Sequence, residues 1–182
     1  MQSALLIGRF QPFHNGHLDI VKKILKDNER VIIAIGSAEK NFLPQNPLTA
    51  SERFQLIEAA LQEEDIPTDR FCIVPIRNVN NFALWVNHIN IYVPPYTKLY
   101  TGSEIVKACY EGKYHGDGPK IIQVKREIKI SATNVREAIK NTESWQNFVP
   151  KAVANLLEKW EISQRLKTID GTMDITKYNN LY

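Results

Sequence analysis

Short apolar runs recur along the chain at residues 4–7, 31–35, 71–76, 99–101 and 121–124, each long enough for a buried strand and too short for a helix. Between the first two runs, Leu18, Ile20, Val21, Ile24 and Leu25 recur at helical spacing, and between the next two Phe54, Ile57, Ala60 and Leu61 do the same. Such stripes are built to lie on a sheet. Strands alternating with helices predict an α/β fold, a parallel sheet joined by right-handed crossovers with helices on both faces. In a sheet of this kind ligands collect at the carboxyl ends of the strands.

Local signals sharpen that outline. Thr49 followed three residues later by Glu52 forms a capping box, so a helix starts there, after a loop holding Pro44 and Pro47. Pro94 and Pro95 precede the fourth run, and Gly112, Gly116, Gly118 and Pro119 mark the loop before the fifth. Pro150 reads as a first helical residue, followed by an apolar stripe of Val153, Leu156, Leu157 and Trp160. The expected architecture is a Rossmann-like, doubly wound sheet with a small C-terminal helical segment. One domain is expected over residues 1–162, with a polar tail over residues 163–182.

Composition narrows the class. With 182 residues, 43% hydrophobic and 24% charged, the chain suits one folded domain with a sizeable core. No apolar run approaches the roughly 20 residues that span a bilayer, and residues 4–7 are too short for a signal peptide, so a cytoplasmic protein with no membrane partner is expected. Cys72 and Cys109 form neither a CxxC pair nor a disulfide framework. A net charge of +3 with scattered basic residues gives little support to nucleic acid as a partner and leaves anionic small molecules open.

The chemistry concentrates at residues 8–17, where the first strand ends and the first helix begins: Gly8, Arg9, Phe10, Gln11, Pro12, Phe13, His14, Asn15, Gly16, His17. A helix start offers unpaired backbone N–H groups and a partial positive charge, and Arg9, His14 and His17 add side-chain donors at the same place. Gly16 permits close backbone approach. Two plainer readings stand beside this phosphate site: the histidines cap a helix, or they are two ligands of a metal. For a zinc site His88 and His115 lie far away in sequence and HExxH is absent. A second segment, residues 130–136, places Ser131 and Thr133 at a helix start with Arg136 one turn on, which makes either an anion site or a capped helix with a solvated arginine. Trp85 reads either as a ring for stacking or as core beside Leu84 and Ile89.

His14-Asn15-Gly16-His17 reproduces the HxGH motif, and the chain therefore resembles the HxGH nucleotidylyltransferases. The longer string from Gly8 to His17 is similar to the archaeal-type nicotinamide-nucleotide (NMN) adenylyltransferases. Ile130-Ser131-Ala132-Thr133-Asn134-Val135-Arg136 resembles that family's ISxTxxR motif, and residues 82–88 resemble its segment carrying a nicotinamide-stacking tryptophan. The resemblance implies an enzyme that transfers the adenylyl group of ATP, accompanied by Mg²⁺, to NMN, giving NAD and pyrophosphate without a covalent intermediate. It assigns His14, His17 and Arg136 to catalysis. Gly8, Arg9, Phe10, Gln11, Gly16, Gly102, Ile130, Ser131 and Thr133 fall to ATP and its phosphates, and Ser37, Arg53, Asn81 and Trp85 to NMN. No metal-ligating residue is expected, because no acidic pair forms a magnesium cage. Asn78 and Phe82 stand where the family often carries an acidic residue and an asparagine, so Asn81 is the remaining candidate to hold the carboxamide. The resemblance also implies a homo-oligomer.

Rival readings are a transferase for another acceptor (phosphopantetheine, FMN or an alcohol phosphate), a nucleotide-sensing module without turnover, and a nucleic-acid-binding protein suggested by the pI of about 8.8. No GxxxxGK[ST] stretch supports a P-loop, and Gly116-Asp117-Gly118 lacks the third glycine of a dinucleotide fingerprint.

Overall fold

The computed structural model describes residues 2–124 and 130–172. Among these described residues five parallel strands, β1 (Ser3–Gly8), β2 (Arg30–Ile35), β3 (Phe71–Pro75), β4 (Lys98–Thr101) and β5 (Lys120–Gln123), lie in the order β3-β2-β1-β4-β5. Seven α-helices accompany them: α1 (Asn15–Asp27), α2 (Ala50–Glu63), α3 (Phe82–Tyr92), α4 (Glu104–Tyr114), α5 (Ala132–Lys140), α6 (Lys151–Lys159) and α7 (Ile162–Thr172).

The apolar runs need cover on both sides because successive side chains point to opposite faces of a sheet. Ala4, Leu6, Val31, Ile33 and Ile35 enter one core layer with Val21 of α1, Ile57 of α2, Val135 of α5, Val153 of α6 and Leu166 of α7. Leu5, Ile32, Ala34 and Leu99 enter the other, with Val86 and Ile89 of α3 and Tyr110 of α4. The doubly wound arrangement expected from the alternation is therefore present.

This topology creates the cleft. From β1 the chain steps outward to β2 and β3, then crosses to β4 on the other side of β1. The loops leaving β1 and β4 diverge, and the crevice between them is where doubly wound sheets bind ligands.

Two expectations at the C-terminal end are corrected. Pro150 has ψ 150° and is the N-cap of α6, so the helix begins one residue later than expected. The polar tail placed at residues 163–182 starts as α7, whose Ile162, Leu166 and Ile169 are buried at helical spacing. Charged and polar neighbours hide that narrow stripe in the composition, while packing on α5 and α6 supplies the stability a lone short helix lacks. The remainder of the tail, residues 173–182, lies outside the described residues.

The Thr49–Glu52 capping box is present: Thr49 accepts from the Glu52 N–H at 3.1 Å, and Glu52 accepts from the Thr49 N–H at 2.8 Å. Glu52 also takes two bonds from Arg165 of α7, at 2.8 and 2.9 Å. Burial alone would raise the Glu52 pKa, but the hydrogen bonds from Arg165 and Thr49, with the Arg165 charge, outweigh it and hold the group below 4.5. A carboxylate whose folded-state pKa is depressed stabilises the fold above its unfolded value and loses that contribution as pH falls through the folded one. Melting curves between pH 7 and 3 are therefore expected to show a steeper acid fall in Tm for the wild type than for Glu52→Gln. Parallel profiles would exclude Glu52 as a source of the acid sensitivity.

Candidate active site

The loop after β1 is shaped by its own residues. Phe10 adopts a left-handed backbone with φ 51°, which a side-chain-bearing residue tolerates only when its surroundings enforce it. Here its ring is buried beneath Gly8, where a Cβ would come within 2.8 Å of the ring, and meets His17 edge-on with centroids 4.9 Å apart. The Gln11 side chain is buried too. Its amide donates to the Leu48 carbonyl at 2.9 Å and accepts from the Leu48 N–H at 3.0 Å, tying this loop to the turn before α2.

His14 is the N-cap of α1 and His17 its third residue. The His17 Nδ1 accepts from the His14 backbone N–H at 3.3 Å, and the two rings stack 3.7 Å apart. Accepting at Nδ1 places the proton of the His17 ring on Nε2, so this atom is its donor. The cap of α1 thus sets the tautomer of the His17 ring. Gly16 permits the stack, since a Cβ there would lie 3.1 Å from the His14 ring.

Helix α5 brings the second motif to the same place. Ser131 caps it by accepting from the Asn134 N–H at 3.1 Å. One turn on, the Arg136 Nη1 donates to the Gln11 carbonyl at 2.8 Å and Nη2 to the Thr133 hydroxyl at 3.3 Å. From β4 come Thr101, whose hydroxyl accepts from the Ser103 N–H at 3.0 Å, and Gly102, where a Cβ would press to 3.3 Å from the Val124 carbonyl.

These elements enclose a cavity of about 540 Å³. Gly8, Arg9, Phe10, Gln11, His14, Gly16 and His17 line one side, and Gly102, Ile130, Ser131, Thr133 and Arg136 the other. Residues at the N-terminal ends of α1, α4 and α5 all border it, so three helix dipoles add positive potential. Burial lowers the Arg136 pKa, and the nearby Arg9 charge lowers it further against a smaller opposing effect of Glu137. Arg53 behaves alike: burial pushes it down to about 10, with Glu39 opposing and Arg9 reinforcing. Three guanidinium groups thus crowd one end of the sheet, an arrangement that a multiply charged anion relieves.

A family model described as cytidylyltransferase-like matches residues 5–138, spanning both motifs and all of the sheet but the first two residues of β1. The chain belongs to the cytidylyltransferase-like family. Among its relatives, the nicotinamide-nucleotide adenylyltransferase of Pyrobaculum arsenaticum is 39% identical over 92% of this chain and 94% of its own. That of Thermoplasma acidophilum is 38% identical over 96% of each chain, and that of Methanococcus aeolicus 36% over 92% of this chain and 94% of its own. The fold also matches the crystal structure of a bifunctional NMN adenylyltransferase/ADP ribose pyrophosphatase from Francisella tularensis, with a TM-score of 0.79 and 23% identity. That match covers 99% of this chain and 56% of the bifunctional one.

In this cytidylyltransferase-like chain the four residues expected at the acceptor lie outside the cavity wall. Arg53 is fully buried and donates to the carbonyls of Arg9, Gly36, Ser37, Ala38 and Thr49, so its fork fastens three loop segments together. Ser37 contributes its carbonyl to that cluster at φ 50°. Asn81 caps α3, its side-chain oxygen accepting from the Ala83 N–H at 3.0 Å. Trp85 is half-buried and meets Tyr110 edge-on with centroids 6.3 Å apart. Sequence reasoning missed several wall residues, among them Val106 of α4, Val124, and Asp19, which is paired with Lys23 at 2.9 Å. The apolar ones carry no chemical signal of their own; only the topology places the ends of β4 and β5 opposite α1.

Proposed function

We propose that the chain transfers the adenylyl group of ATP to NMN, giving NAD and pyrophosphate, as its relatives' names imply. The observation supporting this reading most is the ring of donors around one cavity at the sheet's switch point: Arg9, His14, His17 and Arg136 with three helix N-termini. An NMN phosphate oxygen attacks the α-phosphorus of ATP in line, the bond to the bridging oxygen breaks, and pyrophosphate leaves. Such transfers depend on positioning and on stabilising charge on the transferring oxygens, which these donors supply. In this reading His17 and Arg136 serve the α- and β-phosphates, Arg9 and His14 the remaining phosphate charge, and Ser131 and Thr133 hold the start of α5 in place.

Among the described residues Asp19 is the one acidic residue in the cavity wall, and no group of three or more His, Cys, Asp or Glu could hold a metal. This donor set fits Mg²⁺ arriving as the ATP complex, coordinated chiefly by phosphate oxygens and water. One related structure, the Francisella tularensis enzyme, was solved with AMP and manganese, at 24% identity and a TM-score of 0.74. The same reading makes the chain a cytoplasmic homo-oligomer that needs neither nucleic acid nor membrane. Among the described residues no helix is long and apolar enough to cross a membrane.

The deciding experiment offers ATP and Mg²⁺ with NMN, nicotinic acid mononucleotide, phosphopantetheine, FMN or no acceptor, and follows pyrophosphate release and product mass. NAD from NMN is expected; turnover only with another acceptor would overturn the choice of NMN, and ATP binding without turnover would favour a sensing module.

Gly16 separates activity from stability. An added Cβ presses on the His14 ring and shifts it within its stack by a few tenths of an ångström, while alanine in a first helical turn is at least as compatible with the helix as glycine. Gly16→Ala is expected to cut turnover about tenfold with Tm unchanged or raised, because small misplacements of reacting groups are costly. Full activity in a folded variant would show that the stack does not matter.

A further inference from the structure

Arg165 sits on α7, beyond the residues matched by the family model, and none of the motifs includes it. It nevertheless reaches the loop that the active site leans on. Its guanidinium makes the paired bonds to Glu52, approaches the Pro47 carbonyl at 3.4 Å and lies over the Phe42 ring, 4.9 Å from the centroid. From there the contacts run without a break. Glu52 holds the Thr49 N–H, the adjoining Leu48 exchanges two bonds with the Gln11 side chain, and the Gln11 carbonyl holds Arg136 at 2.8 Å.

We propose that Arg165 is a positioning residue for the phosphate cluster, fixing the turn at Pro47–Thr49 and through Gln11 the placement of Arg136. A bidentate arginine–carboxylate pair suits this task, because two parallel bonds fix orientation as well as distance. Lysine would keep the charge and lose the fork. The C-terminal helix thereby acts on a site whose own residues lie on the sheet and on α1 and α5. The turnover arm of this inference rests on the adenylyl-transfer reading; its ATP-binding arm does not.

The test compares wild type, Arg165→Met and Arg165→Lys at a temperature where circular dichroism shows all three fully folded, measuring kcat/KM for NAD formation and, separately, ATP affinity without acceptor by calorimetry. Arg165→Met is expected to lower kcat/KM about tenfold and to weaken ATP binding severalfold, with Arg165→Lys recovering part of each. Combined with Arg136→Lys, its effect should be clearly less than additive, since both changes release the same contact. If Arg165→Met does not fold, Glu52→Gln takes its place, because glutamine can still accept from the Thr49 N–H while weakening the pair. ATP affinity and turnover within twofold of wild type, or strict additivity with Arg136→Lys, would overturn the proposal. A wild type that binds ATP but makes no NAD would instead overturn the acceptor reading and leave the binding comparison to judge Arg165.

Discussion

Arg136→Ala is expected to lower kcat/KM for NAD formation by about a thousandfold, the scale at which an arginine meeting transition-state phosphate charge acts. The geometry explains why the loss should be this large. Two of the five guanidinium N–H groups are used on the Gln11 carbonyl and the Thr133 hydroxyl, which fixes the plane of the fork and leaves three donors for a ligand. The group is partly desolvated and repelled by Arg9, so an arriving phosphate meets a charge little screened by water. Arg136→Lys keeps a cation but cannot hold Gln11 and grip a phosphate together, and about a hundredfold loss is expected. Arg136→Ala should melt close to wild type, since removing the guanidinium also removes the repulsion with Arg9. Steady-state kinetics beside melting curves test this, and Arg136→Ala within tenfold of wild type would remove Arg136 from the mechanism.

The parts of this molecule that were legible in its sequence share a physical property: their signal is local. A buried parallel strand is an unbroken apolar run, as at residues 31–35, and the α2 start announces itself through two residues on adjacent turns. The place of the cavity was legible because a strand end, a glycine and the histidine pair must follow one another for α1 to point its N-terminus at the carboxyl end of the central strand. Where the signal is distributed, it was not legible. Arg53 finds its carbonyl partners on three separate loop segments, and that internal fastening leaves no mark in the sequence around it. Helix α7 looked like polar tail because three apolar residues suffice to seat it once α5 and α6 are present. Arg165 was invisible for the same reason, since its meaning lies in Glu52, distant in sequence.

His17→Ala is expected to reduce turnover by at least about a hundredfold, the usual consequence of deleting one donor to developing charge. It should also cost about 1 kcal/mol of stability, because the ring closes the cap of α1. The structure allows these two losses to be separated. The ring accepts through Nδ1 toward the helix and donates through Nε2, so amide replacements of different length reproduce one function each. Glutamine at this position carries its NH₂ where Nε2 stood. The shorter asparagine reaches only as far as Nδ1, where its oxygen can accept from the His14 N–H. His17→Gln is therefore expected to stay within about tenfold of wild-type turnover. His17→Asn should keep its Tm and fall as far in turnover as His17→Ala. Turnover in His17→Asn equal to or above that of His17→Gln would mean that the donor is not Nε2, and the tautomer set by the α1 cap would have no part in the reaction.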